Sequence, residues 1–255
     1  MTFANRCAMI AGASRPIGRA IAHRFGTQGV TLVLPVYDWP ESIAAMEEEF
    51  SAAGYSYLTI AADLRLPEGA ELLAKTISQR IGYLDYLVNN IERGGMPVVH
   101  GAYHLAHNRD QWNLEIDTTL KAKWLLFRNL FPLMTGRCGG AVINVTSIAG
   151  ETGRSGPAAV FFSDGYSAAN RGVSIFTETW AREAAPDIRV NEVIVGLIQG
   201  RHGEGTRGWQ SLSQAEQEEI RAAILLKRTG LPEEVAEAVS FLAMKARYTT
   251  GSALR

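Results

Sequence analysis

The sequence predicts an α/β protein: one doubly wound, parallel sheet with helices on both faces. Three observations predict it. Short apolar runs alternate with longer helical patterns along the 255 residues, with no linker or internal repeat between them. The runs are apolar at consecutive positions, as strands covered on both faces must be. A glycine-bearing turn, "AGASRPIG", joins the first run to the first helix, where such sheets place an anion-binding helix start. The length suits a single domain over 1–255 with a substantial core.

Residues 7–11 ("CAMIA") are the first strand, and the helix after Gly12 runs to about residue 28. Residues 30–36 ("VTLVLPV") are a second strand. Its Pro35 must sit near the strand end, because proline donates nothing to a ladder. A helix over 40–53 opens on its proline, which suits a first helical turn. A strand over 57–61, a helix over 68–81 and a strand over 84–89 ("LDYLVN") follow. One long helix covers 110–134 and ends near Gly136. Then come a strand over 141–147 ("AVINVTS"), a helix over 166–185, a strand over 189–195, a helix over 233–245 and a short edge strand over 251–254. Right-handed crossovers bring the segment after every strand to one edge of the sheet. Open sheets bind ligands there, outside the carboxyl ends of the strands.

Composition excludes several function classes. The chain is 47% hydrophobic and 20% charged, with a net charge of −1. No global field favours nucleic acid or an acidic membrane. No segment approaches a spanning length, and residues 1–12 are too short and polar for a leader. Cys7 and Cys138 lack metal-type spacing and read as reduced, mostly buried thiols of a cytoplasmic protein. His100, His104 and His107 are close in sequence but have no HExxH pattern or nearby cysteine, so no metal site is expected. The run "AEQEEIRAAILLKRTG" reads as a solvated helix face. The glycine-rich stretch 200–208 is expected to be mobile, with Trp209 as its anchor.

The chemistry lies after the strands. "AGASRPIG" follows the first, "AADL" the third, "VNN" the fourth, and "NVTSIAG" ends the fifth. "YSAANRG" opens the next helix, and "RVNEVIVGLI" carries the sixth strand. "GLPEEVAEAVSFL" and "TTGSAL" close the chain. In this order the segments resemble the short-chain dehydrogenase/reductase family along nearly the whole chain. The 3-oxoacyl-carrier-protein reductases of that family are the nearest functional analogy. The resemblance implies a Rossmann-type fold and an NAD(P)-dependent oxidoreductase that interconverts a carbonyl and an alcohol by hydride transfer. It assigns Ser147 to the substrate oxygen, Tyr166 to proton exchange, Asn170 to the ribose and Thr119 to a proton relay. It assigns the cofactor to Gly12, Ser14, Arg15, Ile17 and Gly18 in the glycine turn, and to Asp63 and Leu64 near the adenine. Asn89, Tyr166, Asn170 and Ile198 complete that set. It also implies a homodimer or homotetramer built on the helices after residues 110 and 166. The family pattern continues beyond the position of Arg255 into a short Asp-Gly-Gly tail.

The departures from that pattern are chemical. Pro16 replaces the middle glycine of the turn; it can begin a helix, but it removes an N–H and extends Arg15. Ile91 and Glu92 replace Ala-Gly after "NN", and the carboxylate either opposes the ligand or points to solvent. Thr119 stands where the family has asparagine, with a shorter side chain. Asn170 stands where the family has lysine. On a helix Tyr166 and Asn170 share a face. A tyrosine near its ordinary pKa of about 10 needs a neighbouring cation to work at neutral pH. Asn170 supplies none, and Arg171 points about 100° away. The interval from Ser147 to Tyr166 is also long, and 151–165 is either a substrate flap or a surface loop with its aromatics packed beneath. Val36 rather than an acid ends the second strand, and together with Arg15 this leans to NADP over NAD. The alternative to an enzyme is a catalytically silent nucleotide-binding or regulatory protein on the same fold.

Overall fold

The computed structural model describes residues 3–93, 103, 108 and 110–255. The three histidines at 100, 104 and 107 lie outside the described residues. Among the described residues seven strands form one parallel sheet: β1 Cys7–Ile10, β2 Thr31–Val36, β3 Tyr57–Ala61, β4 Tyr86–Asn89, β5 Gly140–Ser147, β6 Ile188–Val195 and β7 Ala253–Leu254. Their spatial order is β3-β2-β1-β4-β5-β6-β7. The order reverses between β1 and β4, which opens a crevice at their carboxyl ends. Pro35 lies in β2 opposite Ile60 of β3, beyond the last β1 pairing at Val33.

Helices cover both faces. On one face α1 Pro16–Gly26 and α2 Pro40–Ala52 pack with a late helix, Pro232–Ser240, through Ile21, Phe25, Phe50 and Val239. On the other, α3 Pro67–Arg80 shares one apolar cluster with two helices of the second half. These are preceded by α4 Gln111–Ile116 and a π-helical turn, Asp117–Lys121, and they are α5 Ala122–Met134 and α7 Asp164–Ala184. A short α6, Ala149–Thr152, follows β5. After β6 come α8 Arg207–Gln210, α9 Gln214–Ala223 and α10, the Pro232–Ser240 helix already named.

The single helix expected over 110–134 is therefore broken by a π turn, which swings the buried Thr119 towards the loop after β4. An extra residue in one turn leaves the apolar pattern on either side intact, so the sequence gives no warning. The last helix likewise passes into a π turn, Phe241–Lys245. Helix α7 starts two residues earlier than expected, because Ser163 caps it by accepting the Tyr166 N–H. Cys7 is buried in β1, but Cys138 is exposed in the turn between α5 and β5. The expectation of buried thiols fails at the second position.

Candidate functional site

The glycine turn is closed by contact. Gly12 has φ +74, and a Cβ there would lie 2.9 Å from the Asn90 carbonyl. A Cβ on Gly18 would lie 2.1 Å from the Gly12 carbonyl, so only glycine lets α1 approach this closely. Pro16 is the first helical residue, and Arg15 before it is extended. The Ser14 carbonyl accepts from Arg19, and Ile17 is buried behind the turn. The Arg15 guanidinium reaches the end of β2, lies 4.5 Å over the Trp39 ring and donates to Ser42 at 3.3 Å. Asp63 follows β3, with Leu64 buried beside it. Its carboxylate is gripped by Arg65, Nη2 at 2.6 Å, which holds it below the usual carboxylate range. That aspartate already has a partner within its own turn.

At the other end of the crevice Ser147 closes β5, and its hydroxyl accepts the Ala149 N–H. Tyr166 lies in the first turn of α7 and is fully buried. Its hydroxyl donates to Glu92 at 2.7 Å and accepts from Arg201 at 3.1 Å, with His202 Nε2 at 3.2 Å. Arg201 and Glu92 are ion-paired. Burial raises the Tyr166 pKa above the usual phenol range; the Ser147 hydroxyl and the Asn170 amide pull it back less, and Glu115 adds to the rise. Burial lowers Arg201 to about 9, so it stays charged at neutral pH. Burial, then Arg201, lowers His202 to about 3, so its imidazole is neutral.

The loop carrying these two residues is a tight turn. The Arg201, His202 and Gly203 N–H groups all point at the Ile198 carbonyl, and Ile198 bridges to Gly230. Gly200 has φ +73, and a Cβ there would press on Pro16 at 2.9 Å. The proline of the glycine turn thus braces the loop that presents Arg201. Beyond it Trp209 is buried and stacks on Phe161, which matches its expected role as an anchor. Phe161 and Phe162 lie under His202 and Tyr166, so the aromatics of 151–165 pack inward.

Ser147, Tyr166 and Asn170 are brought together, but one of the two Asn170 donors is already used. Its Nδ2 donates to the Tyr166 carbonyl at 2.9 Å, one turn back on the same helix. Its Oδ1 is buried with no partner among the described residues. The ribose contact expected from the Asn170 amide therefore falls to Oδ1 or to the second Nδ2 hydrogen. Asn89 is similar: its Nδ2 donates to Asn144 and its Oδ1 has no described partner. Thr119 accepts the Arg93 N–H at 3.2 Å, and that bond ties the π turn to the loop of Glu92. No hydrogen bond among the described residues joins Thr119 to Tyr166.

Sequence reasoning missed Arg201, His202 and Lys123, and left Glu92 undirected. Lys123 on α5 is fully buried and donates to the Val145 carbonyl at 2.7 Å, just past the end of β4. Burial pulls its pKa down to about 7, and Glu192 opposes the shift. The strand-end rule held part of the missing signal: Glu92 and Arg201 both follow strands, which places both at the crevice edge without saying that they touch.

The residues fit a nicotinamide dinucleotide. The glycine turn offers the close backbone approach a pyrophosphate needs, and Asn170 Oδ1 and Asn89 Oδ1 are buried acceptors suited to hydroxyl or amide donors. Among the described residues no group of three or more His, Cys, Asp or Glu is placed to hold a metal ion.

Comparison with known proteins agrees in length and fold. A family model described as enoyl-(acyl carrier protein) reductase matches residues 12–255. The chain is 31% identical over 252 residues to a 3-oxoacyl-[acyl-carrier-protein] reductase FabG of Staphylococcus epidermidis, covering 98% of this chain and 96% of that protein. It is 32% identical over 247 residues to a 3-oxoacyl-[acyl-carrier-protein] reductase of Synechocystis, covering 96% and 92%. A solved short-chain dehydrogenase/reductase from Brucella melitensis superposes with a TM-score of 0.81 at 27% identity, over 99% of this chain and 96% of that one.

Proposed function

The chain belongs to the short-chain dehydrogenase/reductase family and is an NAD(P)-dependent oxidoreductase; from that premise we propose that Tyr166, Ser147 and Asn170 carry the interconversion of a small-molecule carbonyl and an alcohol. One observation carries the proposal: a serine hydroxyl and a tyrosine hydroxyl meet at the carboxyl end of β5, one helical turn from a buried amide oxygen with no described partner.

In the reducing direction Ser147 donates a hydrogen bond to the substrate oxygen and Tyr166 gives it a proton. When bound, the nicotinamide supplies the hydride. Asn170 Oδ1 accepts from the ribose, while its Nδ2 stays on the Tyr166 carbonyl and fixes the helix turn. Thr119 positions the loop of Glu92 through the Arg93 N–H. The glycine turn, with Gly12, Ser14, Ile17 and Gly18, holds the pyrophosphate, and Leu64, Asn89 and Ile198 flank the nucleotide. The placement of Arg15 at the end of β2 favours NADP.

The substrate we favour is a 3-oxoacyl thioester, by analogy with the relatives' names. Exposed Trp124 and Ile175 on α5 and α7 support a homodimer or homotetramer packed on those helices. No helix among the described residues is long and apolar enough to cross a membrane; we place the protein in the cytoplasm, beside its relatives' substrates.

The test is dinucleotide titration, then NAD(P)H turnover on a panel of carbonyls. Tyr166→Phe is expected to lower turnover by about a hundredfold or more while leaving dinucleotide binding in place. Tight binding without turnover of any carbonyl would identify a silent nucleotide-binding protein instead.

A further inference from the structure

The family's lysine is absent from position 170, yet a cation reaches the tyrosine from elsewhere. Arg201 is held by the turn after β6, 35 residues from Tyr166 in sequence, and its Nη2 lies 3.1 Å from the Tyr166 hydroxyl oxygen. The guanidinium is inside the protein, with its side chain only 10% exposed. Its Nε is buried with no partner among the described residues, so the fork is not saturated. The other charge in contact is Glu92, where the family has glycine. It accepts a hydrogen bond from the Tyr166 hydroxyl at 2.7 Å and pairs with Arg201. One carboxylate oxygen, Glu92 Oε2, receives both the Tyr166 O–H and the Arg201 N–H. Two donors converging on one oxygen is the arrangement a polarised carbonyl oxygen requires.

Resting on the proton-transfer reading of Tyr166, we propose that Arg201 is the cation of this active site, replacing in space the lysine missing from position 170, and that Glu92 is its displaceable counter-ion, occupying the position of the substrate oxygen. With Glu92 in place the tyrosine is held as a donor and its hydroxyl is sealed. When a carbonyl displaces Glu92, its oxygen receives the same two donors. The proton then passes from Tyr166 to that oxygen, and the negative charge left on the tyrosinate faces Arg201. Among the described residues, these groups face the hydroxyl. Glu92 comes from the loop after β4, Arg201 and neutral His202 from the loop after β6, Ser147 from β5 and Asn170 from α7 itself. Glu115 of α4 acts from further off; its carboxylate is already bound by Tyr103, Gln111 and Ser163.

The two charges push the tyrosine in opposite directions, which makes the proposal testable without cofactor or turnover. Spectrophotometric tyrosinate titration of the apo protein isolates Tyr166 when the matching Tyr166→Phe variant is subtracted. Glu92→Gln is expected to bring the Tyr166 midpoint down by about one pH unit or more. Adding Arg201→Gln to it should send the midpoint back up by a similar amount, whereas adding Arg201→Lys should hold it down. A midpoint unmoved by Glu92→Gln, or a Glu92→Gln/Arg201→Gln double variant that titrates where Glu92→Gln does, overturns the proposal. Should the double variant not fold, Arg201→Met takes its place with the same expectation. The two readings fail separately. If Tyr166→Phe abolishes turnover but the midpoints do not move, the charge assignment falls and the proton-donor reading stands. If the midpoints move as stated but turnover ignores Tyr166, the charge assignment stands and the proton-donor reading falls.

Discussion

Two carboxylates flank β4, one at each end, and both are paired with arginine. Asp85, just before the strand, is fully buried and accepts from Arg6 at 2.6 Å, Arg137 at 3.0 Å and the Cys7 N–H at 2.8 Å. Glu92, just after it, shares one oxygen between Tyr166 and Arg201, in a neighbourhood where four buried atoms have no partner among the described residues: Arg201 Nε, His202 Nδ1, Asn170 Oδ1 and Asn89 Oδ1. Buried polar groups are normally satisfied, because leaving one unpaired costs about 1–3 kcal/mol. The cluster at the amino end of the sheet meets that rule and joins β1, β4 and the turn before β5. The cluster at the carboxyl end breaks it, and the unpaired atoms lie at the crevice where we propose the dinucleotide binds. Satisfaction, more than burial or charge, separates the structural ion cluster from the functional one.

Isosteric neutralisation of each acid is the strongest way to break this comparison. Asp85→Asn puts an amide among two guanidinium groups and a backbone donor, and is expected to cost about 3 kcal/mol of stability. Glu92→Gln keeps an oxygen for Arg201 in a loosely satisfied site and should cost about 1 kcal/mol. Denaturant unfolding of the two variants measures the difference. Equal costs would mean that the two clusters are both structural.

Lys123 adds a second buried charge at the carboxyl end. Its folded pKa of about 7 lies below that of a free lysine, near 10.4. Between those values the unfolded chain binds the proton and the folded chain does not. The lysine's contribution to stability therefore rises with pH across that window and is at its least favourable below pH 7. The slope from one proton is about 1.4 kcal/mol per pH unit. Lys123→Met should flatten the stability profile between pH 7 and about 10 by up to that amount. An unchanged slope in thermal or denaturant unfolding would show that the amine stays protonated inside the fold, paired with Glu192.

Much of this was legible before any coordinates. Consecutive apolar residues gave the strands, prolines gave the starts of α1 and α2, and Gly18 gave the tight turn. The identities of Ser147, Tyr166 and Asn170 were legible because their neighbours in sequence form motifs. Arg201 was not, because it sits in no local pattern and its partner Glu92 is 109 residues away. Only the topology, which collects the ends of β4 and β6 at one edge, makes them neighbours. The π turn at Thr119 was hidden for a different reason: one added residue changes helix phase without changing composition. The engagement of Asp63 by Arg65 and of Asn170 by its own helix are rotamer choices, which residue identity leaves open.

The adenine end offers the finest version of the comparison, because there a charge is free to act without a counter-ion. Arg15 is stacked on Trp39 and bonded to a serine hydroxyl, and no carboxylate is paired with it among the described residues. Arg201, by contrast, must give up Glu92 before it can serve. A 2′-phosphate approaching the end of β2 would meet a guanidinium already oriented by an aromatic face, a geometry that lysine does not reproduce. Arg15→Ala is therefore expected to weaken NADP(H) binding about tenfold, the worth of one charge-assisted hydrogen bond, and to change NAD(H) binding by less than about twofold. Fluorescence titration with each dinucleotide decides it. Parallel losses for both would place Arg15 on the shared pyrophosphate, and the preference for NADP would have to come from another residue near Val36.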